Sequence, residues 1–400
     1  MPDSDAAALP RLARVEAIHV RVPFRRPLLD ATGEFTHRRS WLLRVVDEEG
    51  REGLGEAALN PIAEDVTTGA LATLIREIAP ALAAGRLPAW SEVAGEGEPG
   101  RAAMAAVDGA IGALAAAQGA AQGAAAGAEA GAGPVPAPIP VSATISFAGP
   151  DAGADAAAQA VELGFETLKL RAGFERTTDH LVDRLRAIRG AVGPEPRLRI
   201  DAAGAWDLET AAERMAAIEP FRIEFVEQPL AAWDLAGHAA LRQRVRVPIA
   251  LDESVDSEGS ARAALSEGAA GVLVVKPARV GGLAATVRIA EAASDAGASV
   301  VLGTYFETGV GIAAVLRIAA ALRIAAAIRA AAGPRAARPA SGDPRADEPA
   351  HSLATAGLLV HDLLRTPLPI EKGRMAVPAA VALDESEVGR YTLERFEARG

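Results

Sequence analysis

The chain has 400 residues, enough for two or three domains or for one (β/α)8-type barrel with an added domain. It contains no cysteine, which excludes disulfides, thiolate metal sites and a cysteine nucleophile. The net charge of −11 argues against a nucleic-acid partner, because phosphate binding needs a basic surface. We find no strongly hydrophobic run of about 18 residues and no signal-peptide pattern. We therefore expect no membrane association and a cytoplasmic location.

The first part of the chain predicts a small α+β domain. Residues 13–60 are rich in strand-forming patterns and include a hairpin that turns at Glu49 and Gly50. Residues 65–120 carry alanine, leucine and isoleucine at helical spacing. A tract of glycine, alanine and proline follows at 119–140, and this composition is typical of a flexible connection. We therefore assign residues 1–135 to the first domain.

From residue 136 onward, short β-like runs alternate with alanine-rich helical segments. Their spacing is about one strand–helix unit, and seven units in series favour a parallel sheet closed into a barrel. We expect this barrel over 136–365. A segment rich in proline, arginine and alanine at 329–349 predicts a disordered insertion within it. The runs are PVSATI (140–145), TLKLR (167–171), RLRIDA (197–202), RIEFVE (222–227), VPIALD (247–252), GVLVVK (271–276) and SVVLG (299–303).

Charged residues end these predicted strands, and the strand ends of a barrel meet at one mouth. Asp201, Glu227 and Asp252 end three successive strands. Three carboxylates in one mouth repel each other unless a cation neutralises them, and oxygen ligands suit Mg2+, with Mn2+ as a substitute. Lys169 and Lys276 end strands on either side of this series. The order points to removal of a proton next to a carboxylate, with a lysine as the base.

The series matters more than any of its members. A lone acidic residue at a strand end is more often a helix cap or an ion-pair partner, so the prediction depends on the whole constellation. Glu253 follows Asp252 directly, and its side chain points away from the mouth if the strand continues that far. We therefore assign no ligand role to Glu253.

Several of these segments resemble the barrel motifs of the enolase superfamily, and in particular its muconate-lactonizing subgroup. The similarity extends over residues 13–380, apart from the two biased tracts. Within the subgroup, the segments RPLLDATGEFTHRRSWLLRVVDEEGREGLGEAAL and AHSLATAGLLVHDLL are most similar to the o-succinylbenzoate synthases. The barrel motifs are GFETLKLRAG, RLRIDAAGAW, EFVEQPL, IALDES, VVKPARVGG and GTYFETGVG.

The resemblance implies an α/β fold, a (β/α)7β TIM-type barrel with an N-terminal α+β capping domain. Residues 366–400 would then return to the cap. The resemblance also places Glu307 in the rim of the active site and Arg38 in a cap loop that closes over the substrate. It implies one set of magnesium ligands, Asp201, Glu227 and Asp252.

The chain departs from the family pattern at the position of the usual base. That pattern has a Lys-x-Lys pair, whereas here Lys169 is followed two residues later by Arg171. Arginine stays protonated in proteins, so it can hold a carboxylate or an enediolate but is a poor base. We therefore expect Lys169 or Lys276 to take the proton, and Arg171 to stabilise the carboxylate or the departing hydroxyl.

Together these expectations predict a lyase that dehydrates 2-succinyl-6-hydroxy-2,4-cyclohexadiene-1-carboxylate to 2-succinylbenzoate in menaquinone biosynthesis. An N-acylamino acid racemase or a muconate-type cycloisomerase of the same subgroup is the alternative. Arg171 weakens the racemase, because racemisation needs an acid/base on each face. A catalytically silent binding relative is a third reading, which three unneutralised carboxylates disfavour. We expect the binding partner to be a small-molecule carboxylate. The sequence leaves open whether the protein forms a homo-oligomer.

Overall fold

The computed structural model describes residues 10–30, 33–61, 64–87, 89–95, 97–125, 136–146, 149–332 and 348–400. Most of the predicted insertion at 329–349 lies outside these residues. The same is true of positions 126–135 of the predicted flexible connection.

Three antiparallel strands and three helices form the N-terminal part. The predicted hairpin is present: the Gly50 amide donates to the Asp47 carbonyl in the turn between the second and third strands. The helices cover one face of this sheet and enclose an apolar core with it. The elements are β1 (Leu12–Asp30), β2 (Gly33–Asp47), β3 (Glu52–Ala58), α1 (Glu64–Ala83), α2 (Trp90–Gly95) and α3 (Gly97–Ala125).

Helix α3 packs directly on the backbone of β3. A Cβ atom added to Gly53 or Gly55 would overlap the carbonyl oxygen of Ala110 or Ala106, respectively. Glycine permits this approach because it has no side chain. The contact fixes how α3 lies on the sheet.

A parallel seven-stranded sheet follows, and each of the seven predicted runs contributes a strand to it. Neighbours in the sheet are neighbours in the chain, which gives the order β11-β10-β9-β8-β7-β6-β5. The short β4 precedes it and belongs to a separate three-stranded sheet. The elements are β4 (Ile139–Pro140), β5 (Ala143–Ile145), α4 (Pro150–Glu162), β6 (Thr167–Arg171), α5 (Thr178–Val192), β7 (Arg197–Asp201), α6 (Leu208–Ile218), β8 (Ile223–Glu227), α7 (Leu235–Arg244), β9 (Ile249–Leu251), α8 (Glu258–Ser266), β10 (Val272–Val275), α9 (Pro277–Val280), α10 (Leu283–Asp295), β11 (Ser299–Leu302) and α11 (Gly309–Ala332).

A short extended segment closes the gap between the two ends of the sheet. His351 forms a parallel bridge with Val141 near one end, and Ser352 forms one with Gly303 near the other. The Ser352 amide donates to the Leu302 carbonyl at 2.8 Å. The segment therefore takes the place of an eighth strand, and the sheet with its helices makes the predicted barrel.

The last part of the chain returns to the N-terminal sheet. β14 pairs antiparallel with β1, and the resulting sheet has the order β14-β1-β2-β3. A separate apolar cluster, which includes Val20, Leu42 and Leu363, packs on the other face of this sheet. The elements are β12 (Ile370–Glu371), β13 (Arg374–Met375), α12 (Glu385–Tyr391) and β14 (Thr392–Arg399).

Two helices of the described chain are long and apolar enough to cross a membrane by length and composition, Gly97–Gly119 and Gly309–Ala327. The expectation that no such run exists is therefore wrong. The first segment lies in α3 and the second in α11, and 44% and 50% of their residues, respectively, are buried inside the fold. Part of the apolar surface of α3 therefore packs into the core of the N-terminal part, and part of that of α11 packs into the core of the barrel.

Candidate active site

The carboxyl ends of β6 to β10 meet at one mouth of the barrel. Lys169, Asp201 and Glu227 lie within β6, β7 and β8, and Asp252 and Lys276 follow β9 and β10 directly. Parallel strands of a barrel end on the same side, so these five residues converge although they are far apart in sequence.

Lys169 is held between two carboxylates. Its Nζ lies 2.9 Å from Asp201 Oδ2 and 2.7 Å from Glu227 Oε1. Burial alone would lower the pKa of Lys169, but Asp201, Glu227 and Asp252 outweigh it and the pKa is raised. The cations also act on Asp201: burial would raise its pKa, yet Lys169 and Arg171 bring it below the ordinary value.

Asp252 is held by two cations from the next part of the chain. Lys276 contacts its Oδ2, and Arg279 Nη1 donates to Oδ1 at 2.7 Å and to its carbonyl at 2.6 Å. Burial would raise the pKa of Asp252, but Lys276 and Arg279 lower it well below the ordinary range. Arg279 Nε also donates to the Tyr305 hydroxyl. Sequence reasoning missed Arg279, although it lies three residues after Lys276 in the quoted motif VVKPARVGG.

Two further carboxyl groups are desolvated. Burial raises the pKa of Glu227 to about 8, and burial together with Asp252 raises that of Glu253 to about 7. Glu253 lines the cavity at the mouth, and the condition under which its side chain would point away is not met. The reason is that β9 ends at Leu251, and strand alternation does not extend to position 253.

Gln228 ties the ends of β8 and β9 together. Its Oε1 accepts hydrogen bonds from the amides of Asp252 at 3.0 Å and Ser254 at 3.1 Å. Its Nε2 donates to the Leu230 carbonyl and to the Ser254 hydroxyl. Gln228 is fully buried and has a positive φ of 42°. The residue that directly follows β8 thus also fixes the backbone that carries Asp252.

Arg171 lies above Lys169 on the same strand. Its Nη1 is 3.4 Å from Asp201 Oδ2, and its side chain lines both the mouth and an adjoining small apolar recess. Phe35 from β2 of the cap also lines both spaces. The recess is bordered by Leu28, Phe35, Thr144, Ser146, Arg171, Phe306 and Leu358.

The other two predicted site residues lie elsewhere. Glu307 faces a second cavity, between the cap and the barrel, and its neighbours Tyr305 and Phe306 line the mouth in its place. The role of Glu307 in the rim of the active site stays a prediction. Arg38 is buried within β2 and acts electrostatically on Glu307. Of the predicted cap loop, Phe35 reaches the mouth.

The mouth encloses a cavity of about 70 Å³. Its lining combines the charged cluster with aromatic and small polar residues of the barrel and the cap. These residues are Phe35, Asn60, Pro61, Thr144, Lys169, Arg171, Asp201, Asp252, Glu253, Val274, Lys276, Arg279, Gly303, Thr304, Tyr305, Phe306, Ser352 and Thr355.

The three predicted metal ligands are paired with ammonium groups in this structure. The described residues hold no group of three acidic or histidine side chains already arranged around a metal position. Lys169 lies between Asp201 and Glu227 instead, and Lys276 contacts Asp252. The donor chemistry nevertheless fits a hard cation: all three carboxylates act on Lys169, and Glu227 Oε2 is buried without a hydrogen-bond partner. A divalent cation could neutralise these carboxylates in place of the two ammonium groups.

Residues 152–387 match the family model described as Enolase C-terminal domain-like, which is more than half of the chain. The chain belongs to the enolase superfamily. The superfamily resemblance seen in the barrel motifs is thereby confirmed. In fold, the chain is similar to a dipeptide epimerase from Cytophaga hutchinsonii complexed with Mg and D-Ala-L-Val, with a TM-score of 0.76 at 20% identity over 97% of this chain and all of that one. The muconate lactonizing enzyme of Pseudomonas fluorescens gives 0.74 at 25% identity, over 96% of this chain and all of that one.

Curated superfamily members match a shorter part of the sequence. The o-succinylbenzoate synthase of Thermobifida fusca is 42% identical over 133 residues, 33% of this chain and 40% of that protein. An N-succinylamino acid racemase of an Amycolatopsis species is 37% identical over 147 residues, 37% of this chain and 38% of that protein. In both alignments the chain covers about two fifths of the relative's length. Lyases and racemases are thus similarly close, and their activities do not transfer by identity alone.

Proposed function

We propose that this superfamily enzyme is an o-succinylbenzoate synthase-like lyase. It would dehydrate 2-succinyl-6-hydroxy-2,4-cyclohexadiene-1-carboxylate to 2-succinylbenzoate, as a cytoplasmic step of menaquinone biosynthesis. The observation that carries the proposal is the unequal pair of faces at the mouth, with Arg171 on one side and Lys276 on the other. Arg171 cannot exchange protons at neutral pH, so one face lacks the acid/base that racemisation needs.

Lys276 is the base in this proposal. Lys169 also lies in the mouth, but two carboxylates hold its ammonium group, and its pKa is raised. Lys276 contacts a single carboxylate, Asp252, and lies 5.1 Å from the centre of the Tyr305 ring. A lysine is a base only in its neutral form, so the lysine with fewer carboxylate contacts is the better candidate.

The proton balance requires only one lysine. Neutral Lys276 removes the proton from the carbon that bears the carboxylate, and its ammonium then protonates the hydroxyl group, which leaves as water. Arg171 orients the substrate by holding a carboxylate, since a guanidinium suits that geometry. Formation of the aromatic ring favours the products.

Asp201, Glu227 and Asp252 are the residues that would hold Mg2+. When bound, the cation supplies positive charge that stabilises the developing enediolate. The remaining chemistry belongs to this chain's own side chains.

Substrate entry needs movement of the cap. Benzene occupies an engineered cavity of about 150 Å3, whereas the mouth encloses about 70 Å3. Phe35 comes from the cap and borders both the mouth and the recess beside Arg171. We propose that the part of β2 that carries Phe35 moves to admit the ring and then covers it.

The test compares two reactions of the purified protein with Mg2+. We expect o-succinylbenzoate to form from the cyclohexadiene precursor. Exchange of the α-proton of N-succinyl amino acids in D2O should be slow or absent. Asp252→Asn, in which the shape is kept and the charge is lost, should abolish dehydration. Fast exchange of both enantiomers without dehydration would show that the protein is a racemase instead.

A further inference from the structure

A second cavity, of about 190 Å3, lies between the cap and the barrel. It shares a wall with the candidate active site. In the segment 276–279, the two outer residues line the mouth and the two inner ones, Pro277 and Ala278, line the second cavity. In the segment 305–307 the first two residues line the mouth, and Glu307 lines the second cavity. The same two chain segments therefore separate the two spaces.

One residue that lines the cavity is a carboxyl group with spare hydrogen-bonding capacity. Glu307 is only 2% exposed, and its Oε2 has no hydrogen-bond partner. The neighbouring Glu56 is different, because it accepts hydrogen bonds from the amides of Thr308 and Gly311. Burial, together with the neighbouring Glu56, raises the pKa of Glu307 to about 7. A buried carboxyl oxygen without a hydrogen-bond partner is costly, so a ligand's ammonium group would both satisfy Glu307 and favour its ionised form.

A second unsatisfied group, of opposite charge, also faces the cavity. Arg317 Nη2 is 3.5 Å from the Gly109 carbonyl, and its Nη1 is buried without a hydrogen-bond partner. Helical side chains tilt towards the N-terminus of their helix, so Arg317 of α11 leans towards the end that carries Glu307. Two further carboxylates line the cavity, and both accept hydrogen bonds from backbone amides: Glu56 from Thr308 and Gly311, and Asp108 from Leu283. The rest of the lining is largely small and apolar: Ala105, Gly109, Gly112, Pro277, Ala278, Gly282, Leu283, Gly311, Ala314, Val315, Ile318 and Ala321.

The size of the space limits the ligand. A cavity of about 150 Å3 holds benzene, which has six non-hydrogen atoms. The space of about 190 Å3 between cap and barrel therefore suits a molecule of roughly six to eight non-hydrogen atoms. Glu307 can bind a hydrogen-bond donor or a cation, and Arg317 can bind an anion. The apolar lining residues can pack against a short methylene chain.

We propose that this cavity is a binding site for a small ω-amino acid, with its ammonium group on Glu307 and its carboxylate on Arg317. Both charged ends are held by the barrel part of the chain, and α3 of the cap covers the bound molecule. This site is separate from the lyase assignment, and its occupancy is read without any turnover.

The experiment is calorimetric titration of the full-length protein with 4-aminobutyrate, which has seven non-hydrogen atoms. Butylamine and butyrate each retain one of the two charged ends. We expect 4-aminobutyrate to bind and each single-ended probe to bind about tenfold more weakly or worse, since each loses a charge-assisted contact. No binding of 4-aminobutyrate, or equal binding of all three probes, would overturn the proposal.

Variants locate the binding. A Cβ added to Gly112 meets no atom within 4 Å, so the side chain of Gly112→Leu can enter the cavity, and this variant should lose 4-aminobutyrate binding. Gly190→Leu is the matched control, because Gly190 is also in a helix with open space around it. Arg317→Gln should remove the preference for 4-aminobutyrate over butylamine. Circular dichroism checks that each variant is folded. Unchanged binding in both Gly112→Leu and Arg317→Gln contradicts this location.

Discussion

At the scale of single residues, the lysines differ in their carboxylate contacts. The chain has three lysines, and Lys372 lies in an exposed turn far along the sequence from the other two. We predict that Lys276→Ala lowers kcat by about 10²–10⁴-fold, the usual contribution of a general base. Lys372→Ala should leave kcat unchanged. Steady-state kinetics at several pH values check both variants, and near-normal turnover of Lys276→Ala would exclude it as the base.

Arg171 gives a second prediction at this scale. Arg171→Lys restores the residue that the family pattern usually has, and a lysine there can lose its proton, unlike arginine. We expect this variant to retain or exceed the dehydration rate and to gain measurable α-proton exchange with N-succinyl amino acids. The measurement is kcat for dehydration together with deuterium incorporation. If Arg171→Lys is inactive while Lys276→Ala stays active, Arg171 has a different role from the one proposed.

Gln228 acts on the site through Asp252. Gln228→Leu removes the acceptor for two buried amides, those of Asp252 and Ser254. We predict that its Mg2+ affinity falls about 10–100-fold, the usual effect of losing a group that orients a ligand. Calorimetric titration with Mg2+ measures this without turnover. The exposed Gln159→Leu is the control, and equal Mg2+ affinity of the two variants would show that Gln228 does not position Asp252.

At the scale of elements, the approach of α3 to β3 predicts a cost of overpacking. The Cβ of Gly55→Ala would overlap backbone atoms of Ala106, which cannot rotate away. We expect the free energy of unfolding to fall by about 1–3 kcal/mol or more. Gly69→Ala in α1 has open space and should instead be neutral or stabilising by up to about 1 kcal/mol. Denaturant unfolding of both variants measures the difference, and equal stability would show that α3 shifts freely on the sheet.

Element order explains which parts of the site the sequence could predict. Each predicted strand run became a strand, so the convergence of Asp201 and Glu227 followed from the periodicity of the chain alone. Glu253 could not be placed, because the exact end of β9 decides which way it points. Glu307 follows β11 by several residues, so strand alternation does not fix its direction either. Gln228 and Arg279 act through contacts between elements, which periodicity does not encode.

At the scale of the whole molecule, barrel closure depends on one buried histidine. His351 lies in the segment that replaces an eighth strand, and its amide donates to the Pro140 carbonyl at 2.8 Å. Its Nδ1 accepts a hydrogen bond from the amide of Leu302 at 3.0 Å. The side chain thus joins the last strand of the sheet to the segment that reaches the first. Only the neutral ring can accept that hydrogen bond.

This closure predicts how stability depends on pH. Burial, with Arg199 and Arg323, lowers the pKa of His351 to about 3, whereas an unfolded histidine titrates near 6.5. Between these values the unfolded chain binds more protons, so this contribution to stability is complete above about pH 6.5 and is lost as pH falls. The loss from pH 8 to pH 5 is about 2 kcal/mol. His351→Asn, whose Oδ1 can still accept from Leu302, should reduce the pH dependence of the unfolding free energy by that amount. The exposed His180→Asn should not. The unsubstituted protein and the two variants have the same carboxyl groups, so comparing their denaturant unfolding at pH 5 and pH 8 isolates the contribution of the histidine. If His351→Asn shows the same difference in unfolding free energy between pH 5 and pH 8 as the unsubstituted protein, barrel closure does not depend on the charge state of His351.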